Sequence, residues 1–519
     1  MVHGRNDRAL ASRGAYAAGT LALLLGLGCT LQESESSDRD DDPIESPSAD
    51  QRAEAEPSPP TAGAQMALQR QPEPSGQATD PVAEQAERRV RAVDPSELEP
   101  LPSDPAPSLD AEDADGQDVQ PIAYRIARQS LTVRDQPNPR AALRGRIPMT
   151  EAFEVFAFVD GQGEDRGCGG LGWAEIGGGY VCLERSRKAA GKRPRILPRL
   201  RDRGLTPYYY AKVRRGRVAQ QWASIAAYRA GEAPVRTLEG DHNYAFTGRK
   251  IKKGEIFLLD ARRRVVPERQ MSRFFPSTFQ GVDLEAEPLP EGVTMAWTIA
   301  WPETDLRSSA AKDAPLAASI GYHERLLLDP ERAGNWFRVA DGSGYVHRSN
   351  VRLWHAPEAL GTAAAGETWL DVDLEQQTLT VMRGKTPVFA TLVSSGFKSP
   401  TPRGVFRIRL KQASGTMSSS PGARDTYAVE EVPHVQYFFN SFALHSAYWH
   451  NRFGHKMSHG CVNLSPKDAR TVYSVTGPHP RGGWLDAYES ETDLGTAVRI
   501  HFGDEVVRDR RGDVEPVRG

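Results

Sequence analysis

Between Thr30 and Gln120 the chain carries 23 acidic residues, six basic ones and 13 prolines. A segment so rich in like charge and so poor in apolar side chains cannot bury enough surface to offset the entropy of ordering it. The run predicts a disordered tether over 30–120, which confines folded structure to the residues beyond it. As a flexible coil, about 90 residues have a root-mean-square span on the order of 50 Å. The formal net charge of −3 for the 519 residues therefore hides a split, because removing the acidic tether leaves 121–519 net basic. A basic folded part suits an anionic partner such as a wall polymer or lipid headgroups, although basic residues scattered over a solvated surface read equally well.

Ahead of the tether, Arg5, Arg8 and Arg13 precede an apolar run from Ala15 to Leu27. That run is short for a membrane span and the right length for the hydrophobic core of an export signal. Leu25-Gly26-Leu27-Gly28-Cys29 resembles the lipobox of bacterial lipoproteins, with Gly26 standing where the family usually has leucine. The resemblance implies that 1–29 is a signal peptide/lipobox, that Cys29 is lipidated, and that the mature chain is held at a membrane in the cell envelope or periplasm; ordinary cleavage or an uncleaved anchor is the alternative.

Three cysteines remain. Cys168 and Cys182 lie fourteen apart in an exported chain, where disulfides persist, so a Cys168–Cys182 bridge is expected; two unpaired buried thiols are the alternative. Closing a loop of that size is worth about 3 kcal/mol in the chain-entropy model. Cys461 is left for chemistry.

From Ala123 to Glu184 short β segments alternate with turn signals: Leu131–Arg134, a Pro137/Pro139 turn, Gly145–Ile147, the alternation Phe153–Val159, Trp173–Ile176 and Gly179–Val181. This order resembles bacterial SH3-like domains, which implies a small β-barrel over 121–193. Gly248–Ile251 with Glu255 and Phe257, and Trp336–Val339 followed by Gly344–Val346, echo parts of it. A second β-rich region over 194–358 is therefore expected, read as an SH3-like module interrupted by an insertion around 261–315. The aromatic stretches Tyr208–Tyr210 and Phe274–Phe275 read as packing residues.

Small residues at 359–366 mark a boundary. Trp369–Leu374 and Leu379–Met382 then alternate about a polar turn, and Val388–Val393 adds a strand. The turn Thr401-Pro402-Arg403-Gly404 feeds Val405–Ile408, and an apolar strand ends at His445. Ser465-Pro466-Lys467-Asp468 offers an N-cap serine, a proline at the first helical position and an early acid, which predicts a helix running to about Val475. Ala497–Phe502 supplies a last strand, and 504–519 is read as a tail. The fold class expected is mainly β.

The stretch His445–Asn463 places Cys461 directly behind Ser458-His459-Gly460. A thiol beside imidazoles, with a glycine allowing close backbone approach, has the parts for acyl transfer. Zinc also favours imidazoles and thiolate, but the histidine gaps of five, five and four put no pair on one helix face and no second cysteine is close. Papain-like peptidases run Cys before His, the reverse of the order here.

His445–Asn463, with Gly396 and the Thr401-Pro402-x-Gly404 turn, resembles the catalytic domain of L,D-transpeptidases (the YkuD family), whose signature is an upstream His followed by Ser/Thr-His-Gly-Cys. The resemblance covers 365–503 and implies a β-sandwich-like domain with a short helix after the catalytic cysteine. It implies Cys461 as nucleophile, His445 as base, and Ser446 steadying His445 through its backbone. Backbone N–H groups of His459, Gly460 and Cys461 would form the oxyanion site, with Ser458 and Asn463 supporting the loop; His450 and His455 are left as expendable. The implied partners are peptidoglycan stem peptides, and no cofactor, metal or nucleic acid is expected. The implied reaction forms 3-3 crosslinks through a Cys thioester with release of D-Ala. An L,D-carboxypeptidase of the same fold, an enzyme anchoring a protein lysine, and a non-catalytic lipid-anchored wall-binding protein are the alternatives.

Overall fold

A computed structural model describes residues 120–162, 167–190, 200, 204–361, 363, 366–398, 400–419, 427–505, 507–508 and 514–515. The expected signal segment, Cys29 and, but for Gln120, the tether lie outside the described residues. The fold is mainly β: among the described residues there are two α-helices, Ile225–Arg229 and Pro466–Val475.

The alternation read at 369–382 becomes the centre of a six-stranded sheet. Thr368–Asp373 pairs antiparallel with Thr378–Arg383 and parallel with Ala497–His501. Thr386–Leu392 and Gly404–Arg407 continue the sheet on either side. Facing it is a second layer in which Leu410–Ser418 and Ala428–Phe439 form a long hairpin, joined by Phe442–Ser446 and then Val462–Leu464. Leu370, Val381, Phe406 and Ile500 from the first layer and Leu444, Val462 and Leu464 from the second share one buried core with Ala469 and Val472 of the helix. The helix spans Pro466–Val475 with Pro466 in its first turn, and the Ser465 side chain accepts from Asp468 N–H, so the capping chemistry written in the sequence starts it.

Before this sandwich, one strand connectivity occurs three times among the described residues. In the first unit Ala123–Ala127 pairs with both Ala152–Val155 and the final strand Ser186–Lys188. In the second, Tyr209–Val213 pairs with His242–Phe246 and Met271–Arg273. In the third, Thr294–Thr298 pairs with Arg325–Ala333 and Val351–Trp354. A single 3-10 turn precedes the last strand each time. The two echoing stretches of the sequence do not share a sheet: Gly248–Lys252 belongs to a three-stranded sheet of the second unit, whereas Trp336–Val339 and Tyr345–His347 belong to the seven-stranded sheet of the third. Cys168 and Cys182 are joined by a disulfide in the first unit.

All three units are built onto the sandwich. Leu143–Ile147 of the first pairs with Asp486–Tyr488, and Trp484 and Ala487 enter that unit's own core. Arg146 makes an ion pair with the fully buried Asp486 across this seam. The second unit adds His242–Phe246 in parallel to the hairpin strand at Ala428 and Val429. Met295, Trp297 and Ile299 of the third share a core with Leu392, Ala447 and Phe453; burying a side chain such as Phe453 contributes about 1.5–3 kcal/mol.

Gly145 marks how close the first seam is, because a Cβ there would stand 2.5 Å from Asp486 O and 2.6 Å from the Trp484 ring. Gly145→Ala is expected to destabilise the folded chain by about 1–3 kcal/mol, read as a lowered thermal midpoint. An unchanged midpoint would show that the seam yields at no cost.

Candidate active site

Parallel pairing of Phe442–Ser446 with Val462–Leu464 sets the site. It aligns Leu444 with Val462, His445 with Asn463 and Ser446 with Leu464, so Cys461 stands at the head of its strand beside Ala443. Side chains alternate along a strand, which puts Ala443 and His445 on one face of Phe442–Ser446. Cys461 is a free thiol with part of its surface open, whereas His445 is 2% exposed.

His445 Nδ1 lies 3.2 Å from Ser446 O. With Nδ1–H donating there, Nε2 keeps its lone pair for accepting a proton. Burial holds His445 down to about 4, with the Ser446 carbonyl acting in the other direction. Burial also pushes the Cys461 thiol up to about 11, against a hydrogen bond from the Ala443 backbone. At neutral pH the pair therefore rests as thiol and neutral imidazole, and the thiolate forms only as the proton is taken.

The loop ahead of Cys461 is braced from two sides. Ser458 Oγ donates to Cys461 O at 2.6 Å and accepts from Gly460 N–H at 3.0 Å. Gly460 N–H is thus already engaged, a departure from the expected three-donor oxyanion set. Thr401 Oγ1 accepts from Gly396 N–H at 2.9 Å and donates to Gly460 O at 2.8 Å, which gives the Thr-Pro-x-Gly turn a physical task. Ser394 and Asn463 exchange backbone hydrogen bonds, each 2.9 Å. Gly460 adopts φ +142°, and a Cβ there would lie 2.4 Å from the Phe442 ring, so only glycine fits.

The four histidines diverge. His459 stacks on Tyr427, with centroids 4.9 Å apart. His455 Nε2 is 3.0 Å from Ile299 O of the third unit. His450 Nδ1 accepts from Arg452 N–H, and its Nε2 is 3.0 Å from the Asn463 amide, which leaves Nε2 as the protonated nitrogen, donating to that amide once its oxygen is turned toward the ring. Burial, with the neighbouring His445 and Arg452, holds His450 down to about 4. His450 is therefore built into the residue that pairs with His445 and is not a bystander of the loop. Among the described residues no group of three or more His, Cys, Asp or Glu side chains is placed to hold a metal ion.

Sequence reasoning missed Tyr427, whose phenol is held up by burial and by the nearby Cys461. It also missed the clamp on the loop. His323 Nε2 lies 3.0 Å from Phe453 O, Arg352 Nε donates to Gly454 O at 2.8 Å, and Tyr210 of the second unit stacks on Tyr448 with centroids 3.5 Å apart. Only the aromatic run at 208–210 gave a hint, as packing residues.

Two measurements check this geometry. Thr401→Val removes both hydrogen bonds and leaves two buried backbone groups unpaired; turnover is expected to fall about tenfold or more with Thr401→Ser restoring it, and equal turnover in Val and Ser variants would contradict the brace. Alkylation of Cys461 by iodoacetamide in the absence of substrate is expected to rise about tenfold per pH unit until about 11; a plateau near neutral pH would show a thiolate already formed.

Residues 367–500 match the family model of the YkuD L,D-transpeptidase catalytic domain. A Bacillus subtilis (strain 168) protein, YciB, named provisionally as an L,D-transpeptidase, is 25% identical over 122 residues, which is 22% of this chain and 63% of that protein. The chain thus spans less than two thirds of that relative's length. Among solved structures, an L,D-transpeptidase from Stackebrandtia nassauensis is 26% identical, with 27% of this chain and 58% of that one covered and a TM-score of 0.19. An L,D-transpeptidase from Mycobacterium smegmatis is 18% identical, covering 44% of this chain and 89% of its own, with a TM-score of 0.22. The segment matched to the YkuD L,D-transpeptidase catalytic domain is the sandwich that carries His445, Thr401, Ser458 and Cys461.

Proposed function

We propose that the chain is an exported cell-wall L,D-transpeptidase that forms 3-3 peptidoglycan crosslinks. The observation that carries this reading is the parallel strand pair that runs the strand following part-exposed Cys461 alongside the strand of a neutral, oriented His445 within the matched domain. In the first step the Cys461 proton passes to His445 Nε2 while Sγ attacks the carbonyl of the third, diamino-acid residue of a tetrapeptide stem. The oxyanion is met by the N–H groups of His459 and Cys461, since Gly460 N–H serves Ser458; one such donor is worth about 2.7–4 kcal/mol. The C–N bond breaks, the amine of D-Ala leaves with the proton from His445, and a thioester remains. An acceptor amine then gives its proton to His445 as it attacks the thioester, the C–S bond breaks, and that proton passes to Cys461 Sγ, which restores the thiol and the neutral imidazole.

In this reading Asn463 and His450 form the support beneath the imidazole, and Ser446 fixes its tautomer through its carbonyl. The three upstream units are SH3-like modules, a reading supported by their shared connectivity. The export signal, a lipidated Cys29 and the tether place the enzyme at a membrane within reach of the wall. Water as acceptor would make the same site a carboxypeptidase.

Incubation of the purified chain with tetrapeptide stems is expected to release D-Ala, and Cys461→Ala to abolish that release. Release that survives the substitution would defeat the assignment. A carbapenem is expected to add its mass to Cys461, and an unmodified chain would count against it.

A further inference from the structure

A cavity of about 430 Å³ opens in the seam between the first β unit and the sandwich, lined by Arg144 and Gly178 on one side and by His479, Arg481, Trp484 and Asp493 on the other. None of these residues belongs to the catalytic loop. Arg144 is 7% exposed. Its Nη1 donates to Ser490 Oγ and, at 2.8 Å, to Thr492 Oγ1, but its Nε is buried with no hydrogen-bond partner. A guanidinium so enclosed, held by two neutral hydroxyls, is costly unless an anion completes it.

Within the lining itself, guanidinium groups outnumber carboxylates. Arg481 is close enough to Arg144 to oppose its charge, while Asp493 and, from outside the lining, Asp135 favour it. Asp493 is already committed, because its carboxylate accepts from His479 N–H at 2.8 Å and meets His479 Nδ1 at 3.1 Å. The lining therefore presents two guanidinium groups against one occupied carboxylate. Gly178 lines the cavity at φ +112°, a backbone conformation that glycine adopts readily.

We propose that this cavity is a second binding site, distinct from the Cys461 site, for the carboxylate end of a peptidoglycan stem peptide, with Arg144 and Arg481 as its anchors. Planar guanidinium groups match the geometry of a carboxylate. A volume in the range of small-molecule sites, with the Trp484 ring as an apolar wall, suits a peptide end better than a bare inorganic ion. The choice of a stem as ligand rests on the proposed function; the anion site itself rests on the cavity. A stem bound here sits on the strand junction that joins the first unit to the catalytic domain, so the seam would hold a wall strand while the active site works on another.

The test uses the full chain carrying Cys461→Ala, so that bound stems are not turned over, with purified tetrapeptide stem as the probe and hydrogen exchange as the readout. Stem-dependent protection is expected over 477–493, separate from protection over 441–463. Arg481→Gln, a change at a half-buried lining residue outside the seam's apolar core, is expected to raise the concentration needed for protection of 477–493 at least tenfold without altering that over 441–463, and Arg144→Gln to do the same. Absence of protection over 477–493, an unchanged midpoint in Arg481→Gln, or protection by inorganic phosphate as tight as by the stem would each overturn the proposal. D-Ala release by the chain with Cys461 intact, measured in parallel, separates the two readings: release without protection at 477–493 sinks only the second site, whereas no release sinks the proposed function.

Discussion

The site depends on one parallel strand pair. Antiparallel neighbours can be joined by a tight turn, but parallel ones need a long crossover, and here the crossover from Ala447 to Cys461 contains no helix. A loop of that length without its own secondary structure must be held from outside. Ser395 O accepts from Met457 and Ser458 N–H, Ser394 Oγ donates to His455 O, Thr401 holds the loop's end, and the second and third β units hold its middle through Tyr448, Phe453 and Gly454. The upstream units are thus part of the frame that fixes the distance between His445 and Cys461, whatever else they bind.

Burial gives that frame its chemical character. A thiol pushed up and an imidazole pushed down both favour the uncharged forms, so the resting site is unlike a preformed thiolate–imidazolium pair. In the proposed mechanism charge then appears only with substrate present, where fixed dipoles can act on it. The cost in that mechanism is that Cys461 depends wholly on His445, and His445 on the Ser446 carbonyl and on the Asn463–His450 support.

The parts of the fold governed by local chemistry were legible in the chain. Ser465-Pro466 started the helix where it stands, and the alternation at 369–382 became a central hairpin, because capping and pleat are short-range effects. The cysteine and the upstream histidine were legible for the same reason, lying in one nineteen-residue stretch. What was not legible came from residues far apart in sequence: Tyr210 on Tyr448, His323 on Phe453, Arg144 against Ser490 and Thr492. The sequence alone reads His450 as a loop residue, since nothing in its neighbours announces Asn463 as its partner. The reading of one interrupted repeat met two separate sheets because short strand echoes fix strand character but not which strands pair.

The mechanism stands or falls on whether an acyl group passes through Cys461. Rapid acid quenching of the chain with a tetrapeptide stem, followed by proteolysis and mass analysis, decides it. The expected product is an adduct equal to the stem less its terminal D-Ala on the peptide containing Cys461, labile to hydroxylamine as a thioester is. D-Ala released with no adduct on that peptide, or an adduct on another residue, would contradict it.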